Sequence, residues 1–327
     1  MKLTAKEIFA LSHGALRYEE QADGAVRLCR FTEKTVGFYE ATNQNFATKT
    51  KAGACIRLEF DTDADEFTVG YTVSKASSRS FFYFDIFVDG VMVAHPGQDN
   101  LENAVGELSL ELPAGTHRVA IYLPNLACAD ITHMTFPDGA TFKPVEKSLK
   151  LYALGDSITQ GYDAEYPSQS YANLLTDKLN ATAINHGIGG EIFNPGMLDA
   201  AMDFAPDIIT VAYGTNDWST RTAEDFKRDA DEYYRLLRVT YPTAKIFAIT
   251  PIWRADKSNE TKAGCFENAV RIVTEAALAQ PGVVVIDGDK MIPHLAAVCS
   301  DAYLHPNDFG FKFYAEALFD AMKPHLG

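Results

Sequence analysis

Through about residue 145, apolar and polar side chains come in short runs bounded by turn residues. RLCRF (27–31), CIRLEFDTD (55–63), EFTVGYTVSK (66–75), FFYFDIFVDGVMVAH (81–95), GELSLEL (106–112) and HRVAIYL (117–123) have strand composition. They recur at roughly ten-residue spacing, the rhythm of a sandwich. Asp89-Gly90 splits the fourth run into a hairpin. Pro-Ala-Gly-Thr between the last two runs predicts a second hairpin. The only helix predicted in this half is a short one near Ala5–Leu11.

The pattern changes near Pro144. LKLYALG (149–155), TAINHG (182–187), DIITVAYG (207–214), KIFAIT (245–250) and VVVID (283–287) are near-continuous apolar runs. Helical patterns follow them near Tyr171–Leu179, Met197–Phe204, Ala223–Val239, Lys262–Ala279 and Phe309–Met322. Five such β-α units predict a parallel sheet with helices on both faces. The fold class is therefore α/β behind an all-β start: a β-sandwich over 1–145, then an α/β/α domain with a parallel sheet over 146–327. The junction is expected within 138–148. No internal repeat or low-complexity linker is present.

Length and composition bound the function. The 327 residues suffice for two domains, and 47% apolar with 22% charged residues is globular. The net charge of −15 repels phosphate backbones and anionic lipid, so neither nucleic acid nor membrane is an expected partner. No apolar run reaches the ~18–20 residues of a membrane helix. The N-terminus has no signal-like apolar region. Five widely spaced cysteines without a CxxC read as reduced thiols. A cytoplasmic protein is the expectation.

Ligands of an open parallel sheet bind beyond the carboxyl ends of its strands. Gly155-Asp156-Ser157-Ile158-Thr159 follows the first strand and Gly187-Ile188-Gly189-Gly190 the second. Tyr213-Gly214-Thr215-Asn216-Asp217 follows the third. Beyond the fifth lie Asp301 and His305-Pro306-Asn307-Asp308. Acyl transfer needs these residue types. A serine is a weak nucleophile until an imidazole takes its proton. A carboxylate fixes the imidazole tautomer. The tetrahedral oxyanion needs aimed N–H donors.

GDSIT (155–159), GIGG (187–190), GTND (214–217) and HPND (305–308), in this order, resemble the SGNH (GDSL) hydrolase family over 149–325. The resemblance implies a flavodoxin-like α/β/α fold and a serine esterase without a cofactor. It gives Ser157 as nucleophile and His305 as base, with the Ser157 N–H, Gly190 and Asn216 as oxyanion hole. The family usually places its Asp three residues before the histidine, yet position 302 is Ala and Asp301 lies four before. Either Asp301 reaches the ring or a backbone carbonyl orients His305. A sandwich preceding such a domain also resembles two-domain carbohydrate acetylesterases, an analogy of architecture that implies a jelly-roll-like sandwich over 1–145 and a three-layer α/β/α domain over 146–327. It implies a small-molecule or oligosaccharide ester as partner. The oligomeric state stays open, homo-oligomers included.

Other residues carry plainer expectations. Trp218, Trp253 and Tyr303 are the candidate sugar-stacking aromatics, and Tyr162 and Phe193 lie near the same rim. Asp156 and Asp217 are read as holding loop backbone, Asp308 as a helix cap and His186 as a packing residue. The remaining histidines have no metal-like spacing, and no metal is expected. The acidic run Asp61–Glu66 lacks calcium-loop spacing and reads as a solvated turn. The rival readings are a lipase, thioesterase or acyltransferase of the same family, or a decayed sugar-binding protein.

Overall fold

The computed structural model describes residues 1–326. Its N-terminal half holds two antiparallel sheets. One runs in the order Ser12–His13, Arg57–Thr62, His117–Tyr122, Asp85–Val88, Val91–Ala94, with Phe142–Pro144 also paired to Arg57–Thr62. The other runs Val105–Glu111, Glu66–Lys75, Ala127–Thr135, Val26–Cys29, Arg17–Glu20. Alternate residues point inward, as the pleat requires. Leu58, Phe60, Phe67, Val69, Val119, Ile121, Ile131 and Phe136 share one core between the sheets.

Asp89 and Gly90 form the predicted hairpin, with φ of 51° and 80° and Val88 opposite Val91. The second predicted hairpin does not form. Val105–Glu111 pairs with Glu66–Lys75, whereas His117–Tyr122 pairs with Arg57–Thr62 and Asp85–Val88 in the other sheet. Pro-Ala-Gly-Thr reverses the chain, but a turn signal does not choose the partner. Here the chain crosses between sheets at a sandwich corner.

The predicted first helix spans Ala5–Ala10, closed by a Thr4–Glu7 capping box. Two further helices, Glu33–Thr42 and Gln44–Lys49, lie where none was predicted. Their caps are legible in retrospect: Thr32 accepts from the Thr35 N–H and Asn43 from the Phe46 N–H. Their apolar periodicity is weak because they pack at a junction. Phe31, Tyr39 and Ala47 share a core with Tyr152, Ile184, Ile188 and Phe193 of the second half.

The second half contains a parallel sheet in the order Ala181–Gly187, Leu149–Gly155, Ile208–Ala212, Lys245–Ile249, Val283–Ile286. In chain order that is 2-1-3-4-5, the flavodoxin-like arrangement. Helices Ala223–Thr240 and Phe266–Leu278 cover one face; Tyr171–Leu179 and Asp308–Met322 cover the other. The helix predicted near Met197–Phe204 is absent; only a turn of 3₁₀ helix, Pro195–Met197, occurs there. Asp199 Oδ1 accepts from the Ala201 N–H at 3.0 Å, a local side-chain bond that competes with helix. Among the described residues no helix is long and apolar enough to cross a membrane. All five cysteines are free thiols.

Candidate active site

The sheet reverses its strand order between Leu149–Gly155 and Ile208–Ala212, the switch point where such sheets bind ligands. Ser157 opens the four-residue helix Ser157–Gln160, capped by Asp156, whose Oδ1 accepts from the Ile158 N–H at 3.0 Å. The Ser157 Oγ lies 2.9 Å from His305 Nε2. His305 Nδ1 lies 2.6 Å from Asp301 Oδ2. The carboxylate, and not a backbone carbonyl, therefore meets the ring. Asp301 Oδ1 also accepts from the N–H groups of Tyr303, Leu304 and His305 at 3.0, 2.8 and 3.1 Å. Partial burial opposes its ionisation. The Leu304 and Tyr303 N–H groups and the imidazole outweigh burial, and hold the carboxyl below the usual range.

Two further donors line the same cavity as Ser157. Gly190 has φ +88°, a left-handed conformation that suits glycine. Among the described residues its N–H has no protein acceptor. Gly189 is pressed against Tyr162, whose ring a Cβ would meet at 2.5 Å. The Asn216 Nδ2 donates to the Glu191 carbonyl at 2.9 Å, which leaves its second hydrogen for the cavity. The Ser157 N–H, in the first turn of its helix, has no intrahelical acceptor. Ser157, Gly190, Asn216 and His305 line one cavity of about 430 Å³. A hydroxyl beside an imidazole, an imidazole beside a carboxylate, and N–H groups across the gap are the parts that acyl transfer requires.

The walls differ from expectation. Tyr303 lines the cavity and is half exposed. Trp218 does not line it: the indole is 1% exposed, donates Nε1–H to the Gly264 carbonyl at 2.9 Å, and has the Arg254 guanidinium 4.8 Å above its ring. A face already covered by a cation cannot stack on sugar. Trp253 stacks at 5.5 Å on His294 and does not line the cavity either. Phe193 is fully buried core. Sequence reading missed Lys49, Ser78, Arg79, Ser219 and Arg254, which line the cavity. The first three come from the N-terminal half, and no local motif signals their approach. No carboxylate lines this cavity, while three cationic side chains do.

Several acids lie just beyond it. Burial pushes Asp156 and Asp217 up to about 7. Asp217 accepts from the Phe193 N–H with both oxygens at 3.3 Å and so holds the loop after Gly190. Asp308 is not the helix cap; Asn307 is, accepting from the Gly310 N–H at 3.0 Å. Asp308 instead accepts from the Tyr166 N–H at 3.3 Å, and burial pushes it up to about 6. His186 is buried between the Tyr152 hydroxyl and the Arg30 carbonyl, each at 2.7 Å. Burial, then the Arg30 charge, pushes it down to about 3. In the acidic run, Asp61 pairs with Arg118 at 2.8 Å and Asp63 accepts from the Thr141 N–H.

A parallel 2-1-3-4-5 sheet with a serine and histidine meeting at its switch point defines an α/β acylhydrolase-type fold. Residues 153–313 match the GDSL-like lipase/acylhydrolase family. The whole fold is similar to the salicylyl-acyltransferase SsfX3 from a tetracycline biosynthetic pathway, at 18% identity and TM-score 0.83, covering 99% of this chain and 97% of that one. A candidate GDSL-like lipase from Bacteroides ovatus aligns at 17% identity and TM-score 0.76, covering 100% and 98%. A family two carbohydrate esterase from Clostridium thermocellum aligns at 18% identity and TM-score 0.67, covering 96% and 98%. No curated protein sequence matches the chain.

Proposed function

We propose that the protein is a serine esterase that hydrolyses small acyl esters, acetyl esters of carbohydrates foremost. The observation that carries this reading is the Ser157–His305–Asp301 chain, at 2.9 and 2.6 Å, facing the Gly190 and Asn216 donors across one cavity. The serine hydroxyl attacks the ester carbonyl and its proton passes to His305 Nε2. Asp301 holds the Nδ1–H tautomer and balances the imidazolium. The Ser157 and Gly190 N–H groups and the Asn216 amide receive the oxyanion. The alcohol leaves with the proton from Nε2, and a water deprotonated by the same nitrogen releases the acid. No cofactor enters this scheme.

The cavity supports a small acyl group; of its three cations, Arg79 is paired with Asp163 and Arg254 with Asp256. A second cavity of about 580 Å³ adjoins it at Arg79, lined by Phe81, Tyr83, Asp99, Asp163 and Glu165. Its aromatic and acidic walls suit a hydroxyl-rich alcohol better than a lipid tail. The carbohydrate esterase from Clostridium thermocellum, a protein with the same architecture, supports this choice of alcohol.

The test is a series of p-nitrophenyl esters from acetate to decanoate, with Ser157→Ala as control. Acetate should be turned over fastest, and the variant should fall to background. Preference for long chains would replace the carbohydrate reading with a lipid or thioester one. An acyl-enzyme that partitions to added alcohol in place of water would make the protein an acyltransferase. Absence of any turnover, with acetylated sugar bound, would make it a binding protein.

A further inference from the structure

We infer that Lys49, from the N-terminal half, is a positioning residue for the oxyanion hole, an inference that rests on the esterase reading above. Lys49 ends the helix Gln44–Lys49 and is 9% exposed. Its ammonium donates to the Gly189 carbonyl at 2.6 Å. That carbonyl belongs to the same planar peptide as the Gly190 N–H, because the Gly189 C=O and the Gly190 N–H are trans across one C–N bond. A cation fixed on the oxygen therefore aims the N–H in the opposite direction. It also draws electron density from the amide and strengthens that N–H as a donor.

The rest of the loop is held in ways that leave this peptide to Lys49. The Gly189 N–H donates to Gln160 Oε1 at 2.8 Å. Arg30, fully buried, donates to the Asn185 and Gly187 carbonyls at 2.6 and 2.9 Å, and to the carbonyl of Lys49 itself at 2.9 Å. Tyr39 donates to Glu191 Oε2 at 2.5 Å. None of these contacts reaches the Gly189 oxygen.

Lys49 has no carboxylate within ion-pairing distance among the described residues. The buried carboxyl of Glu191 feels its charge from farther away. The ammonium also lies 5.4 Å from the centre of the Phe46 ring, which a Cβ on Gly190 would meet at 3.6 Å. A buried ammonium is costly unless its bonds are used. Here its bond is to the carbonyl of the peptide whose N–H the esterase reading assigns to the oxyanion hole.

Lys49→Met, Lys49→Arg and Ser157→Ala should be compared with the wild type on p-nitrophenyl acetate, with melting temperatures measured in parallel. Loss of one direct oxyanion donor costs about 10²–10³ in kcat. Loss of the group that aims a donor should cost about 10-fold or more, with KM within about 2-fold, because the contact matters in the transition state. Binding of phenylboronic acid, which forms a tetrahedral adduct on the serine, should weaken by the same factor as kcat. Lys49→Arg, which keeps a cationic donor, should recover most of kcat.

Wild-type kcat in a folded Lys49→Met variant would overturn the inference. So would a rise in KM with kcat unchanged, which would make Lys49 a substrate contact. If Lys49→Met does not fold, Lys49→Gln takes its place. An intermediate loss of kcat and boronate affinity supports the inference, and wild-type values overturn it. A wild-type protein with no Ser157-dependent turnover and no boronate binding would overturn the esterase reading itself, and this inference with it.

Discussion

Asp301 Oδ2 lies 2.6 Å from His305 Nδ1 across a spacing of four positions in sequence. Ala302 absorbs the extra residue at φ +64°, and the bend turns three successive N–H groups onto Asp301 Oδ1. One carboxylate thus shapes the loop and orients the base. Asp301→Asn should lower kcat by about 10³-fold or more, since an amide disfavours the productive tautomer. Asparagine can still accept the loop N–H groups, so the melting temperature should change little. Comparable kcat values for the variant and the wild type would return His305 to a serine–histidine dyad.

Ala302 is a non-glycine residue in left-handed conformation, which costs roughly 1–2 kcal/mol. Ala302→Gly removes that strain but adds freedom to the unfolded chain, so stability should rise by less than about 1 kcal/mol. Ala302→Val, β-branched at the same φ, should lose more than about 1 kcal/mol. Urea unfolding of both variants measures the difference. The kcat of Ala302→Gly should match the wild type if the three N–H bonds keep the loop in place.

Trp218 and Tyr303 differ in what they touch, and substitution should separate them. Trp218→Phe removes a buried bond to the Gly264 carbonyl and leaves space under Arg254. It should cost about 1–3 kcal/mol of stability with KM nearly unchanged. Tyr303→Ala, at the half-exposed cavity wall, should raise KM for acetylated sugars several-fold with little loss of stability. A rise in KM in the Trp218 variant alone would return the indole to the substrate.

The residues whose chemistry is local were legible before the fold was known. Ser157, Asn216 and His305 each follow a strand in a short block, and parallel topology brings strand ends to one rim. The Asp301 contact was open because the spacing alone allows either a carboxylate or a carbonyl. It took the left-handed turn at Ala302 to decide it. Trp218 misled for another reason: residue type signals an aromatic face, but not what covers that face. Lys49 and Arg79 were out of reach because they enter the site from elements far away in sequence. The helices that carry Tyr39 and Lys49 bury only part of a face against a second domain, so their apolar period is faint.

Asp217 gives the stability of the fold a pH dependence. Its carboxyl is buried beside the Gly190 loop, and burial raises it from its ordinary value of 3.8 to about 7. Between those two values the folded protein keeps a proton that the unfolded chain has lost. The contribution to stability is therefore full below about pH 4 and is lost as pH rises through about 7. At most it amounts to roughly 2–4 kcal/mol. Asp156, buried nearby and also raised to about 7, acts in the same direction. Asp217→Asn removes one of the two groups while keeping an acceptor for the Phe193 N–H. Its melting temperature should fall less between pH 5 and pH 8 than that of the wild type. Equal slopes in the two proteins would mean that Asp217 is ionised in the fold throughout. The Arg221 side chain, 3.7 Å away, would then be its partner in a buried ion pair.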